Sequence, residues 1–241
     1  MVLPEHVAVA GDPDVLARAA EPVGGRFTSW ASGVARGQGI WLVAGTFPEQ
    51  VPGRSRPANT CIVVGPDGNV AGVYRKIHLF DAPVAGSRES DAADPGDEVV
   101  TVPLGPPGGA GWDLGLAICF DLRFPELFIA LALSGAGIVA VPSAFTAATG
   151  PAHWETLVRA RAIETQCFVV AADQHGEPPP GLPACHGHSM IVDPWGRVLA
   201  EAGPGDGCIV ADLDPSAQSV ARSALPVLTA RRPGVYRRGD E

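Results

Sequence analysis

Lysine is almost absent from this chain: one of its 17 basic residues, Lys76, is lysine and every other is arginine. Arginine is a planar fork that stays charged. Lysine is a point charge on a flexible stem that fits tight sites and shifts its pKa readily. Positive charge is scarce overall: the net charge is −9 and no basic stripe occurs, which argues against a nucleic-acid partner. No apolar run approaches the ~20 residues that a membrane helix needs. The opening Met1-Val2-Leu3-Pro4-Glu5 lacks the basic start and apolar core of a signal peptide. The five cysteines are odd in number and include no C-x-x-C pair. Neither a disulfide framework nor a structural zinc site is expected, and a reducing cytoplasm fits best. No G-x-S-x-G elbow and no glycine-rich nucleotide fingerprint occur, which removes the serine-hydrolase and dinucleotide readings. His153 and the Cys185-His186-Gly187-His188 cluster lack full zinc spacing. No metal and no cofactor are expected.

What is present is a well-cored globular composition, 46% hydrophobic and 18% charged over 241 residues, enough for one large α/β domain. No long Gly/Pro-rich run separates two apolar blocks, so residues 1–241 read as a single domain. Helices are expected over 13–20 and 27–36, and a strand over 40–44. Strands 60–64 and 70–74 flank Gly65-Pro66-Asp67-Gly68-Asn69, whose residues preset a hairpin bend. A loop rich in Asp, Pro, Gly and Ser spans 81–98, a length typical of functional lids or disordered segments. Further strands are expected at 99–102, 112–118, 137–141 and 167–172. Helices are expected at 124–133 and 151–166, the second opened by Pro151 in its first turn. A second hairpin, 189–192 with 198–200, precedes a last strand at 207–212 and a short helix near Pro215. Strands alternating with helices between two hairpins favour an α/β layered fold with mixed sheets.

Cys119 ends an apolar strand and immediately precedes a helix, in Gly115-Leu116-Ala117-Ile118-Cys119-Phe120-Asp121-Leu122-Arg123. A nucleophile at such a turn is exposed at the sheet edge. The Phe120 N–H can face a developing oxyanion, and the helix start favours the thiolate. Cys61, Cys167, Cys185 and Cys208 read instead as small buried hydrophobes. Lys76 lies in Tyr74-Arg75-Lys76-Ile77-His78-Leu79-Phe80-Asp81. Arg123 stands four residues past Cys119, one helical turn, and can share its cleft. There it can clamp a substrate carboxylate, or brace the turn by pairing with Asp121 or Glu126.

These two segments resemble the nitrilase superfamily of carbon–nitrogen hydrolases, and within it the Nit-type amidases. Pro142-Ser143-Ala144-Phe145-Thr146, Arg159-Ala160-Arg161-Ala162-Ile163-Glu164 and the run from Gly187 to Gly196 add to the likeness, which covers nearly the whole chain. The resemblance implies a four-layer α-β-β-α sandwich, a homodimer or higher homo-oligomer, and a small-molecule amide as substrate. It implies a Glu-Lys-Cys triad in which Lys76 and Cys119 match directly. Glu5, after Val2-Leu3-Pro4, is the expected base. Glu49, after Phe47-Pro48, is the decoy, since it follows a later strand. Glu89 matches a glutamate that supports the triad. Arg123 and Thr149 match residues that hold the acidic end of the substrate. The implied activity is hydrolysis of a small linear carboxylate-bearing amide to acid and ammonia through a cysteine thioester. The rival reading is a catalytically inactive binding or scaffold relative. The resemblance also places a strand–helix–strand unit, on the order of 40 residues, ahead of the base glutamate. The start at Met1 therefore reads as a start codon placed too far downstream.

Overall fold

The structure is a computed structural model, and it describes residues 1–83, 88–105, 111–176, 179, 182–203 and 205–236. Helix α1 spans Pro13–Ala19, with the Asp12 carboxylate capping the Val15 N–H. Helix α2 spans Arg26–Gln38 and stops at Gly39, which takes the left-handed conformation that ends helices. Strands β1 (Leu42–Glu49), β2 (Ala58–Val64) and β3 (Val70–Arg75) form an antiparallel three-stranded sheet. The turn expected between β2 and β3 forms there: the Gly65 N–H donates to the Asn69 carbonyl and the Gly68 N–H to that of Gly65.

The second sheet has six strands in sequence order: β4 (Thr101–Leu104), β5 (Trp112–Leu116), β6 (Ile138–Ser143), β7 (Phe168–Asp173), β8 (Met190–Val192) and β9 (Val198–Glu201). Its three central strands, β5, β6 and β7, run parallel, and the flanking pairs are antiparallel. The parallel crossovers are helices, as such connections require. Helix α3 (Pro125–Leu133) joins β5 to β6, and α4 (Gly150–Thr165) joins β6 to β7. Helix α5 (Pro215–Ala224) and the short α6 (Pro233–Tyr236) follow.

Burial along β2 explains the layering. Ile62 and Val64 face one way, into a cluster with Ala31 and Ala35 of α2. Cys61 and Val63 face the other way, into a cluster with Leu114, Leu116, Val139 and Val169 of the second sheet. That cluster continues to Leu131 of α3 and Val158 of α4. Helix, sheet, sheet and helix are therefore stacked, which is the expected α-β-β-α order. Among the described residues no helix is long and apolar enough to cross a membrane.

Two expectations need correction. Residues 207–212 form no strand: no neighbouring strand pairs with them among the described residues, and Val210 is 83% exposed. Cys208, on that segment, is exposed for the same reason, and Cys185 is only half-buried, whereas Cys61 and Cys167 are buried as expected. Within the 81–98 loop, residues 84–87 lie outside the described residues. The rest includes a 3₁₀ turn, Glu89–Asp91, that packs toward the sheet end.

Candidate active site

Four segments far apart in sequence meet beyond the ends of β3, β5 and β6. The first residues run beside β1: the Leu3 N–H donates to the Val43 carbonyl at 2.9 Å and the Glu5 N–H to the Ser143 carbonyl at 3.3 Å. Glu5 is 1% exposed, so it is not a frayed terminal residue. Lys76 follows the last residue of β3 and is 2% exposed. Its ammonium donates to Glu5 Oε1 and to Glu89 Oε2, each at 2.8 Å. Asn59 Nδ2 closes the ring, donating to Glu5 Oε1 at 2.9 Å and Glu89 Oε1 at 3.0 Å. The Phe80 N–H also donates to Glu89 Oε2, at 2.7 Å. The Ala144 N–H, just past β6, donates to Glu5 Oε2 at 2.9 Å. Three of the residues read from sequence, Glu5, Lys76 and Glu89, are thus joined through the lysine.

The Cys119 thiol completes the group: it lies close enough to Glu5 and Lys76 that each acts on its charge state. Cys119 has φ +44, a left-handed conformation that side chains with a Cβ rarely adopt. It opens a 3₁₀ turn, Cys119–Arg123, and the α-helix begins only at Pro125. A single tight turn therefore separates Cys119 from α3. Asp121 holds that turn: its carboxylate accepts from the Ile118 N–H at 2.8 Å, Tyr74 Oη at 2.7 Å and the His78 N–H at 3.1 Å. His78 Nδ1 lies 2.7 Å from the same carboxylate, and its ring stacks on Phe124. Tyr74 and His78 bracket Lys76 in sequence, so Asp121 ties the cysteine turn to the lysine segment.

The electrostatics follow from burial and pairing. Burial pushes the Glu5 carboxyl up, but the charge of Lys76, helped by His6 and by hydrogen bonds from Lys76 and Cys119, outweighs it and holds the group at about 2. Burial acts against the Lys76 ammonium, yet Glu5 and Glu89 carry its pKa well above the usual lysine value. Burial and the charge of Glu5 hold the Cys119 thiol well above its usual value, with Lys76 opposing. The resting pair is therefore thiol plus carboxylate. Any pull of the turn toward the thiolate is outweighed by loss of solvent and the neighbouring anion.

Glu49, the decoy, is occupied elsewhere. Its carboxylate takes two bonds of 2.7 Å from Arg75 and one of 2.8 Å from Thr60. Arg123 pairs with neither Asp121 nor Glu126. Its guanidinium is 3.3 Å from Thr149 Oγ1, 3.1 Å from His153 Nδ1, and lies over the Phe145 ring. Phe80, Cys119, Phe120, Arg123, Thr146 and Thr149 line one small cleft. A larger cavity of about 730 Å³ lies between the inward faces of the two sheets, and Cys119 is not in its lining.

Sequence reading missed Asn59, Asp121 as the hub of the turn, and the Ala144 amide. Asn59 carried a faint signal, a polar residue near the start of a strand whose last four residues are apolar. The Ala144 contribution comes from backbone and has no side-chain signature.

The carbon–nitrogen hydrolase family model matches residues 1–222. The deaminated glutathione amidase of Bos taurus is 43% identical over 234 residues, spanning 95% of this chain and 70% of the relative. Omega-amidase NIT2 of Pongo abelii is 39% identical over 220 residues, spanning 90% of this chain and 77% of the relative. Among solved structures, Nit3 of Saccharomyces cerevisiae, a member of branch 10 of the nitrilase superfamily, superposes with a TM-score of 0.83 at 34% identity, covering 94% of this chain and 80% of Nit3.

Proposed function

The chain belongs to the carbon–nitrogen hydrolase family, and from that premise we propose that Cys119, Glu5 and Lys76 are its nucleophile, general base and oxyanion-binding cation. It is an amidase, a hydrolase of carbon–nitrogen bonds in linear amides with a small-molecule substrate. The observation that carries the assignment of roles is the convergence of Glu5, Lys76 and Cys119 from three distant segments on one buried point.

The steps follow from the protonation states. The Glu5 carboxylate takes the Cys119 proton as sulfur attacks the amide carbon, so no free thiolate need persist in the apolar site. Charge then develops on the carbonyl oxygen. An ammonium has three N–H donors; two of those on Lys76 face Glu5 and Glu89, which leaves one for the oxyanion. The Phe120 N–H, at the start of the 3₁₀ turn, is the second donor. The tetrahedral intermediate collapses, the C–N bond breaks, and Glu5 returns its proton to the departing nitrogen as ammonia leaves. Glu5 then takes a proton from water, whose oxygen attacks the thioester. Collapse of the second intermediate expels the Cys119 sulfur, which recovers its proton, and frees the acid. Glu89 and Asn59 hold Lys76 and Glu5 in register throughout.

Arg123 with Thr149 is the proposed clamp for a substrate carboxylate, since the guanidinium has no carboxylate partner of its own among the described residues. The higher identity to the deaminated glutathione amidase, 43% against 39%, favours a substrate of that enzyme's kind over that of the omega-amidase. We extend the proposal to residues 1–241 acting as one domain, in a homodimer, in the cytoplasm. The free cysteines fit the reducing compartment. The test is ammonia release from a panel of carboxylate-bearing linear amides, with Cys119→Ala as control. Turnover by wild type alone supports the assignment. Turnover unaffected by the substitution rejects it, and silence on every amide favours a binding protein.

A further inference from the structure

Asp173, the last residue of β7, is a buried carboxyl that the mechanism above does not use. It is 5% exposed and stands opposite Ser143 in the parallel register of β6 and β7. Its Oδ1 accepts the Phe145 N–H at 2.7 Å. Phe145 directly follows Ala144, whose N–H faces Glu5 Oε2. The next residue of β7's exit, Gln174, holds the other side of Glu5: its side-chain Nε2 donates to the Glu5 carbonyl at 2.8 Å, while its N–H donates to the Ser143 carbonyl at 3.0 Å. Asp173 Oδ2 is buried without a hydrogen-bond partner among the described residues.

We propose that Asp173 is a positioning residue of this active site, a neutral carboxylic acid whose Oδ1 pins the Ala144–Phe145 turn against Glu5. The proposal rests on Glu5 being the base. A carboxylate at Asp173 would be poorly placed. The charged or titratable groups acting with it are Glu5 on the first segment, Cys119 on the turn after β5, and Cys185 before β8. None of these is a cation, and the nearby ammonium of Lys76 already faces two carboxylates. Burial, reinforced by the charge of Glu5, outweighs the nearby backbone N–H groups of Phe145, Gly187 and Gln174 and pushes the Asp173 carboxyl up to about 8. The uncharged acid keeps Oδ1 as an acceptor and leaves Oδ2 to carry the proton. Ionisation at higher pH adds a like charge beside Glu5 and Cys119, which opposes both thiolate attack and oxyanion formation.

The experiment measures kcat and kcat/KM against pH for wild type, Asp173→Asn and Asp173→Ala, with circular dichroism on each. It also measures the pH dependence of iodoacetamide alkylation at Cys119, located by mass spectrometry. Wild type shows a descending limb centred near pH 8 that is missing from D173N. D173A loses about tenfold in kcat at little change in KM, as a displaced turn predicts, and D173N recovers most of that loss. The same limb in wild type and D173N overturns the proposal, as does a D173A rate equal to wild type. If wild type turns over no amide, the functional reading fails on its own. The alkylation curves then decide the matter: a bend near pH 8 in wild type, lost in D173N, sustains Asp173's role, and superimposed curves reject it.

Discussion

Lys76 shows how much one residue can reveal. Its isolation among arginines, and the segment around it, single it out in the sequence alone. The fold gives it two carboxylate partners at 2.8 Å. In its proposed role the position needs a compact ammonium with a spare donor. Arginine brings a broad fork that cannot reach both carboxylates and a substrate oxygen in the same space. Lys76→Arg is therefore expected to lower kcat on a carboxylate-bearing amide by about 100-fold, with a smaller effect on KM, the pattern of an interaction made in the transition state. Steady-state kinetics checks this, and a change confined to KM would contradict it. Asn59 is the counterexample. It bridges Glu5 and Glu89, yet an Asn at the head of a strand has many ordinary readings, and only the fold brings its partners within reach. Asn59→Ala leaves the buried Glu5 and the part-buried Glu89 carboxylates one donor short each. The expected cost is about 2 kcal/mol of stability, measured by the urea midpoint, together with a fall in kcat.

At the scale of elements, strands and helices within the apolar runs were legible, because burial imposes its period directly on the sequence. The 207–212 segment was not. Its apolar residues satisfy a strand pattern, but a strand needs a hydrogen-bonding neighbour, and that lies outside local sequence. The backbone geometry that sets Glu5 was equally hidden. Gly45 sits at a register shift in β1 with φ +68, and a Cβ there would collide with the Pro4 carbonyl oxygen. This glycine lets the first segment approach the sheet closely enough for Glu5 to reach Lys76. Gly45→Ala is expected to cut kcat at least about tenfold by displacing Glu5, read by ammonia release on protein shown to be folded. Wild-type rates in G45A would refute that account. The turn behind Cys119 gives a second case. Asp121→Ala removes the acceptor shared by Tyr74, His78 and Ile118. It should cost about 3 kcal/mol in urea unfolding and slow alkylation of Cys119.

Over the whole molecule, the buried charges set opposing pH dependences. Glu5 binds its proton more weakly when folded than unfolded. The stability it contributes is present above about 4.5 and is lost as pH falls through about 2. Asp173 has the opposite sign. Between 3.8 and about 8 the folded protein keeps a proton that the unfolded chain has released, so stability declines as pH rises across that window. Asp173→Asn should remove the decline: its urea midpoint should exceed wild type at pH 8, with the gap closing toward pH 4. A constant gap at every pH would show that Asp173 does not titrate in this way.

The central claim is that sulfur, base and ammonium act as one unit, and trapping the acyl-enzyme tests it most directly. A carboxylate-bearing amide is mixed with the protein, quenched in acid within the first turnovers, and weighed intact and as peptides. The account predicts an acyl group on Cys119, released ammonia equal to adduct plus acid product, and no adduct in Cys119→Ala. Ammonia release by Cys119→Ala at the wild-type rate, or an acyl group on any other residue, would contradict it.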